Sequence, residues 1–275
     1  MAVLRVDNPR VHIFALEGFR SVCGATATVF DVQSPHDGAL VRDVLRSAPK
    51  VIFAIGGDSL SNVAGVKDVP VIFSLVLRPE TLASPGGRVT GVAMNLPVET
   101  QLDALGLALP PAKRIGVVYD PGETGPMLEE LRAAAAKRGY KVVARAVDRE
   151  NDVFGALDGL RGRIDVLWML PDITVVSYET VKYMMLFSFE DRVPVYAVSE
   201  KYVQNGAFMA LGVDPYDMGR QAGEMANRVL AGEDVRKIPV EHARKGHLFL
   251  NLATAERLGL EIPAEAIKRA ERLYR

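Results

Sequence analysis

The sequence predicts an α/β fold with two Rossmann-like lobes, each built on a parallel β-sheet and joined by a hinge. Short β-branched runs alternate with amphipathic helical stretches from end to end, which is typical of repeated βαβ units. A weak internal repeat indicates that two similar halves follow one another along the chain. The length of 275 residues suits two lobes that each bury a hydrophobic core.

The predicted strands are short runs rich in Val, Ile and Phe. They lie at 3–6, 28–32, 51–55, 71–74, 115–119, 142–147, 166–170, 195–198 and 208–213. Helical stretches separate them, such as the alanine-rich segment 127–138 and the segment 175–190. This alternation predicts parallel strands connected by helices rather than a β-sandwich or a helical bundle.

The internal repeat shows where strands pass into helices. Segments 47–59, 110–122 and 162–174 each contain a polar lead, an apolar strand, and a turn with Gly, Pro or Asp that enters a helix. Two similar halves are the simplest explanation. We place the end of the first lobe near Asn95, where the chain leaves one sheet and Pro97 starts a helix toward the next.

These turns predict a binding site. In open parallel sheets, ligands bind outside the carboxyl ends of the strands, where the N-termini of helices converge. If two such sheets face one another, the turns line a shared cleft. The candidate ligand-binding residues are Asp7, Gly57, Asp58, Ser59, Ser74, Asn95, Asp120, Thr124, Gly125, Pro171, Asp172, Thr174, Ser199 and Asp214.

The tetrapeptide GDSL at 57–60 also opens the nucleophile block of a family of serine esterases. A serine hydroxyl becomes a good nucleophile only when a histidine, itself oriented by an acid, takes its proton. None of the histidines in this chain has an Asp three residues before it, and GDSL follows the third predicted strand rather than the first. We therefore predict that Ser59 is not catalytic, and that Asp58 and Ser59 cap a helix starting near Leu60.

Composition narrows the partners and cofactors. The formal net charge of −1 gives no electrostatic reason to expect a nucleic acid or an anionic membrane as partner. The single cysteine, Cys23, excludes an internal disulfide and a thiolate metal cluster. The sequence has no phosphate-binding loop, zinc-protease helix or EF-hand spacing, so we expect neither a cofactor nor a metal site.

The first residues bear on localisation. No apolar run approaches the roughly twenty residues that span a bilayer, and the first ten residues resemble no signal peptide. The chain begins almost directly in a predicted strand. This start fits a cytoplasmic protein, and it fits equally a protein without its export signal.

The C-terminal third resembles a known family. Residues 193–240, with the stretch GVDPYDMGRQAGEMA at 212–226, are similar to the signature region of ABC-transporter substrate-binding proteins of the tryptophan/tyrosine-binding type. The likeness extends upstream through PAKRIGVVYDPGET and downstream through FLNLATAERLGLEIP, and so covers nearly the whole chain. The stretch at 212–226 is highly specific.

The resemblance implies a type I periplasmic-binding fold and a function without catalysis. A small ligand, typically an amino acid, is trapped when the two lobes close, and a membrane permease of an ABC transporter is the partner. We expect a monomer located outside the cytoplasm. A ligand-sensing domain of a regulator with the same fold is the alternative, and a serine hydrolase is a distant third.

The resemblance also implies how the lobes are connected. The helix at 216–231 packs back onto the first lobe, with Gly219 and Gly223 giving it a smooth face. The chain then crosses between lobes near Asn95, Asp214 and Arg236. The first lobe comprises 1–95 and 214–236, and the second comprises 96–213 and 237–275.

Two departures from the family pattern concern the charge of the ligand. Relatives often carry VTDP where this chain has VLRP at 76–79, and ASDES where it has AVSEK at 197–201. An acid able to pair with a ligand ammonium is thus missing from both places. Either Asp172 or Asp120 replaces it, or the ligand has no ammonium and Arg78 holds a carboxylate.

Overall fold

The computed structural model describes residues 1–6, 10–82 and 87–275. The chain forms two compact units: Met1–Pro97 with Val213–Gly246, and Val98–Gly212 with His247–Arg275. It passes between them three times. No helix within the described residues combines the length and apolar character needed to cross a bilayer.

Strands and helices alternate along the described chain. The elements up to residue 108 are β1 (Ala2–Val6), α1 (Arg10–Val22), β2 (Thr28–Val32), α2 (Gly38–Arg46), β3 (Ile52–Ile55), α3 (Gly57–Val63), β4 (Val71–Val76), a 3-10 helix (Pro79–Thr81), β5 (Val89–Ala93) and α4 (Val98–Ala108). The next are β6 (Arg114–Tyr119), α5 (Pro121–Lys137), β7 (Lys141–Ala146), α6 (Asp152–Asp158), β8 (Val166–Trp168), α7 (Tyr178–Asp191), β9 (Val195–Ala197), α8 (Glu200–Gln204) and β10 (Met209–Val213). The last are α9 (Pro215–Leu230), a 3-10 helix (Val235–Lys237), β11 (Glu241–His242), β12 (Gly246–Asn251), α10 (Leu252–Leu258), α11 (Ala264–Arg269) and β13 (Ala270–Tyr274).

The first unit contains a sheet with the strand order β11-β5-β4-β3-β1-β2, in which neighbouring strands run parallel. Strands β3 and β4 are buried along their whole length. This explains why they read as continuous apolar runs rather than as alternating patterns. Because all these strands are parallel, their carboxyl ends lie along one edge, which we call the first-unit edge.

The second unit contains a sheet with the strand order β13-β12-β10-β9-β8-β6-β7. Its pairs β6–β7, β6–β8, β8–β9, β9–β10 and β12–β13 are parallel. The aromatic rings of Trp168 and Tyr196 pack in the core, with centroids 4.4 Å apart. The two-lobed α/β architecture predicted from the sequence is therefore observed. The carboxyl ends of β6 and β8 lie at the second-unit edge.

The third chain crossing lies later than the resemblance implied. The chain stays in the first unit beyond Arg236, as far as Gly246. The reason is β11, a short strand in which Glu241 and His242 pair with Val92 and Ala93 at the end of β5. No apolar run marks this two-residue strand in the sequence.

Helix α9 packs against α1 through glycines. A Cβ atom added at Gly219 would lie 1.9 Å from the carbonyl oxygen of Ala15, and one added at Gly18 would lie 1.9 Å from that of Tyr216. At Gly223 an added Cβ would lie 2.9 Å from the carbonyl oxygen of Phe19. The backbones thus approach too closely for any side chain at these positions. This is the close packing expected from Gly219 and Gly223.

An ionic network fastens α9 to the segment after β11. The side chain of Asp217 is 3% exposed, and its two oxygens accept hydrogen bonds from Arg244 at 2.8 and 3.2 Å. The ammonium of Lys245 lies 3.4 Å away. Burial alone would raise the pKa of Asp217, but the hydrogen bonds and charges of Arg244 and Lys245 outweigh it and hold the pKa below its ordinary value.

We predict that this carboxylate contributes stability that depends on pH. Because its pKa is lower in the folded chain, the contribution is present above the unfolded pKa, near 3.9, and is lost as the pH falls through the folded pKa. Asp217→Asn should lower the free energy of unfolding by about 1 to 3 kcal/mol at pH 7. Urea denaturation should show this deficit shrinking below about pH 4.

The matched control is Asp148→Asn. The side chain of Asp148 is 86% exposed and lies 3.6 Å from Arg149, so the substitution should change stability by less than about 0.5 kcal/mol at either pH. A deficit in Asp217→Asn that stayed constant between pH 7 and pH 3 would show that the lost interaction is not ionic.

Candidate functional site

The first-unit edge is organised around Gly56, which follows β3 and precedes α3. Its φ of 89° lies in the left-handed region that favours glycine. The N–H of Gly56 donates to the carbonyl oxygen of Ser74 at 2.9 Å, and Ile55 lies opposite Ser74 in the sheet. Gly57, Asp58 and Ser59 lie in the first turn of α3 and Ser74 lies in β4, so four predicted site residues belong to the elements that meet at Gly56.

The hydroxyls of Ser59 and Ser74 are the most informative groups at this edge. Both residues are 0% exposed, and neither Oγ atom has a hydrogen-bond partner among the described residues. Buried polar groups in proteins are nearly always hydrogen-bonded, and an unsatisfied one costs about 1 to 3 kcal/mol. The two hydroxyls are therefore candidate groups for contact with a polar group of a ligand.

The backbone next to Ser74 is strained. The register between β4 and β5 shifts between Phe73 and Val76, and Leu75 has a φ of 57°. A leucine in the left-handed region costs free energy and persists only where the surrounding structure enforces it. The bulge breaks the regular pairing with β5 directly beside the Ser74 hydroxyl.

His12 also lies at the first-unit edge, and the sequence analysis did not include it among the candidate site residues. A Cβ atom added at Gly56 would lie 2.9 Å from Cε1 of His12, so the imidazole packs against this turn. Its Nδ1 atom is buried and has no hydrogen-bond partner. Burial lowers the pKa of His12, aided by Arg5 and opposed by a hydrogen bond with the backbone of Val6 and by Asp58. The ring is therefore neutral at pH 7.

Among the described residues, no catalytic base is hydrogen-bonded to Ser59. His12 is the histidine near the GDSL turn, yet neither its Nδ1 nor the Ser59 Oγ has a hydrogen-bond partner, so the two atoms do not bond to each other. The expected cap also needs correction. Gly56 occupies the N-cap of α3 without a side-chain hydrogen bond, so Asp58 and Ser59 lie inside the first turn. The helix starts earlier because Gly56 completes the turn.

The second-unit edge is organised around Asp172. This residue is 1% exposed. Its Oδ2 accepts hydrogen bonds from the Asp120 N–H at 2.8 Å and the Thr124 hydroxyl at 2.5 Å. Its Oδ1 accepts from the N–H groups of Thr174 and Val175, at 3.0 and 3.1 Å. The carboxylate thus joins the loop before α5 to the loop after β8.

Asp120 and Thr174 complete this network. Asp120 is the N-cap of α5 and accepts a hydrogen bond from the Gly122 N–H at 2.8 Å. Its second carboxylate oxygen accepts from the hydroxyl of Thr174 at 2.7 Å. The structure therefore brings together the predicted second-lobe residues Asp120, Thr124, Asp172 and Thr174, and occupies their polar atoms with one another. Pro171 precedes Asp172 and is half-buried, and Gly125 lies in α5 after Thr124.

Three other predicted site residues follow the ends of strands β5, β9 and β10, namely Asn95, Ser199 and Asp214. The Oδ1 atom of Asn95 lies 2.9 Å from Nδ1 of His242. Asp214 is the N-cap of α9, and its side chain accepts from the Asp217 N–H at 3.1 Å. Ser199 is the N-cap of α8 without a cap hydrogen bond. Asp7 lies outside the described residues.

Two further features concern charge and metals. Arg78 is half-buried and immediately precedes the 3-10 helix after β4. Among the described residues, no group of three His, Cys, Asp or Glu side chains is arranged to hold a metal ion.

Comparison with known sequences gives a consistent result. Residues 36–273 match the sequence profile of a family described as ABC transporter substrate binding protein. A tyrosine-binding protein from Clostridioides difficile is 31% identical over 211 residues, which is 74% of this chain and 61% of that protein. The chain thus spans about three fifths of the length of this relative.

Comparison with solved structures supports the same fold. A ligand-free, open substrate-binding protein with adhesive properties from Clostridium difficile has a TM-score of 0.79 at 24% identity, covering 100% of this chain and 99% of its own. An ABC domain in complex with L-Trp from Streptococcus pneumonia has a TM-score of 0.64 at 22% identity. The match covers 99% of this chain and 98% of that chain. At these identities the structures establish the fold.

Proposed function

Because the chain belongs to the ABC transporter substrate-binding protein family, whose members bind solutes and are not enzymes, we propose that it is the extracytoplasmic solute-binding component of an ABC importer. Its ligand is a small molecule, either an amino acid or a related small carboxylate. The family membership and the tyrosine-binding relative support this assignment. The expected partner is a membrane permease, with the protein acting as a monomer.

One observation carries the proposal for the ligand. The buried hydroxyls of Ser59 and Ser74 have no partner in the part of the chain that the structure describes, and a hydroxyl donates a strong, charge-assisted hydrogen bond to a carboxylate. We propose that they bind the ligand carboxylate at the first-unit edge. L-tyrosine and L-tryptophan are the first compounds to test, since a relative is a tyrosine-binding protein and a similar structure contains L-Trp.

The second-unit edge has a supporting role in this proposal. The oxygens of Asp172 already accept four hydrogen bonds, so this residue fixes the shape of its loop. Closure of the two lobes on the ligand, as the resemblance implies, is part of the same proposal. Small-angle scattering tests it, because ligand that favours a closed form should lower the radius of gyration.

We predict that removing either serine hydroxyl weakens ligand binding without lowering the stability of the protein. Ser59→Ala and Ser74→Ala should each weaken L-tyrosine binding by about 1.5 to 3 kcal/mol, since each loses a hydrogen bond to a charged group. Neither should lower the melting temperature, because the hydroxyl that is lost has no partner in the ligand-free protein. Titration calorimetry and thermal denaturation measure the two effects.

The matched control is Ser61→Ala in the same helix. The hydroxyl of Ser61 donates to the carbonyl oxygen of Gly57 at 2.9 Å, so this variant should bind the ligand as the wild type does. Unchanged affinity in both Ser59→Ala and Ser74→Ala would place the carboxylate elsewhere. Ester hydrolysis that disappears in Ser59→Ala would overturn the assignment as a binding protein.

A further inference from the structure

We propose that His12 is a ligand-binding residue whose Nδ1 atom accepts a hydrogen bond from the ligand, given by the α-ammonium when the ligand is an amino acid. This inference rests on the proposed function and deepens it. It assigns the two ends of the ligand to different groups at the first-unit edge. The serine hydroxyls bind the ligand carboxylate, and the imidazole binds the hydrogen-bond donor of the ligand.

Three unpartnered polar atoms belong to residues whose elements meet at one glycine. The His12 ring lies against Gly56, as the 2.9 Å separation between Cε1 and an added Cβ shows. The carbonyl oxygen of Ser74 accepts a hydrogen bond from the N–H of Gly56, and Ser59 lies in the helix that Gly56 starts. The Nδ1 of His12 and both serine Oγ atoms are buried without partners among the described residues. The three atoms come from α1, α3 and β4, which meet at this turn.

The chemistry of His12 defines what it binds. Nε2 of His12 would lie 3.0 Å and Nδ1 4.0 Å from a Cβ atom added at Gly56, and Nδ1 has no partner among the described residues. In this proposal the proton of the neutral ring lies on Nε2. Nδ1 then has a free lone pair and is an acceptor. It therefore selects an N–H or O–H donor of the ligand.

The described carboxylates at the two edges do not fill the role of acceptor for the ligand ammonium. Asp172 accepts four hydrogen bonds and Asp120 accepts two, all from within the protein. Asp214 caps α9. Asp58 is exposed and raises the pKa of His12 through its charge. Among the described residues at the first-unit edge, Nδ1 of His12 is an unpartnered buried nitrogen, and in this proposal it takes the place of the acid that relatives carry.

Protonation of His12 should oppose binding. The protonated ring carries hydrogen on both nitrogens, so Nδ1 no longer accepts and its charge repels an ammonium. Burial and Arg5 lower the pKa of His12, while Val6 and Asp58 raise it, and the balance lies below 6.5. Affinity for an ammonium ligand should therefore be constant above pH 7 and fall as the solution is acidified below this value.

The test compares two probes in three proteins. L-tyrosine and 3-(4-hydroxyphenyl)propionate, which lacks the ammonium, are titrated by calorimetry into wild type, His12→Phe and His12→Asn at pH 7.5 and pH 5.5. Wild type should bind L-tyrosine more tightly and lose affinity at pH 5.5. His12→Phe should lower the affinity for L-tyrosine by about 10-fold or more. Its affinity for the propionate should stay within about twofold of the wild-type value.

His12→Asn provides the rescue. The Oδ1 atom of asparagine lies close to the position of Nδ1 and accepts without titrating, so this variant should keep most of the affinity for L-tyrosine and lose its pH dependence. The role of His12 would be overturned if His12→Phe lost affinity for both probes equally. It would also be overturned if His12→Phe bound L-tyrosine as tightly as the wild type does. If His12→Phe does not fold, the wild-type pH profile and His12→Asn decide. Wild type that binds neither probe would overturn the proposed function together with this inference.

Discussion

Gly219→Ala should destabilise the protein by about 3 kcal/mol, because the new Cβ atom would lie 1.9 Å from the carbonyl oxygen of Ala15. The clash is with backbone, so no side chain can rotate to relieve it, and α1 and α9 must move apart. This separation loses contacts along the whole helix pair. Chemical denaturation of wild type and variant measures the change in the free energy of unfolding.

Gly155→Ala is the matched control for this substitution. Gly155 is also inside a helix, α6, but no heavy atom lies within 4 Å of an added Cβ. Alanine is a better helix former than glycine, so the variant should be unchanged or more stable by up to about 1 kcal/mol. If Gly219→Ala proved as stable as Gly155→Ala, α1 and α9 would not pack as closely as described.

Asp172→Ala should lower the free energy of unfolding by about 3 to 5 kcal/mol. The substitution leaves four donors without their acceptor, namely the N–H groups of Asp120, Thr174 and Val175 and the hydroxyl of Thr124. Each unsatisfied buried group costs about 1 to 3 kcal/mol, and local rearrangement recovers part of the sum. Thermal and urea denaturation provide the measurement.

Ile173→Ala in the same turn is the control, since this side chain is 71% exposed and should change stability by less than about 0.5 kcal/mol. Loss of ligand binding in Asp172→Ala without loss of stability would contradict the structural role. Asp172 would then be a direct ligand contact, as the sequence analysis expected.

The architecture could be predicted from the sequence because parallel strands buried on both faces read as apolar runs. Strands β3 and β4 follow the predicted runs at 51–55 and 71–74 closely. The close packing of α9 was also predictable, because Gly219 and Gly223 lie on one helical face. Strand β11 could not be predicted from the sequence, because Glu241 and His242 form a strand only by pairing with β5.

The site was predictable only at the level of strand ends. The sequence places Ser59 just after one predicted strand and Ser74 at the end of another, 71–74, which brings them to one edge. It does not show that both hydroxyls lack a partner, because this depends on the burial and geometry of groups far apart in the chain. It also gave no signal for His12, which lies in an apolar helical stretch and reaches Gly56 only through tertiary packing.

A crystal structure of the protein with L-tyrosine bound is the most direct test of the central claim, that an amino acid or a related small carboxylate binds at the first-unit edge. The account predicts ligand carboxylate oxygens about 2.5 to 3.0 Å from the hydroxyl oxygens of Ser59 and Ser74. A ligand carboxylate held by other groups, with both serine hydroxyls bonded only to water, would contradict it.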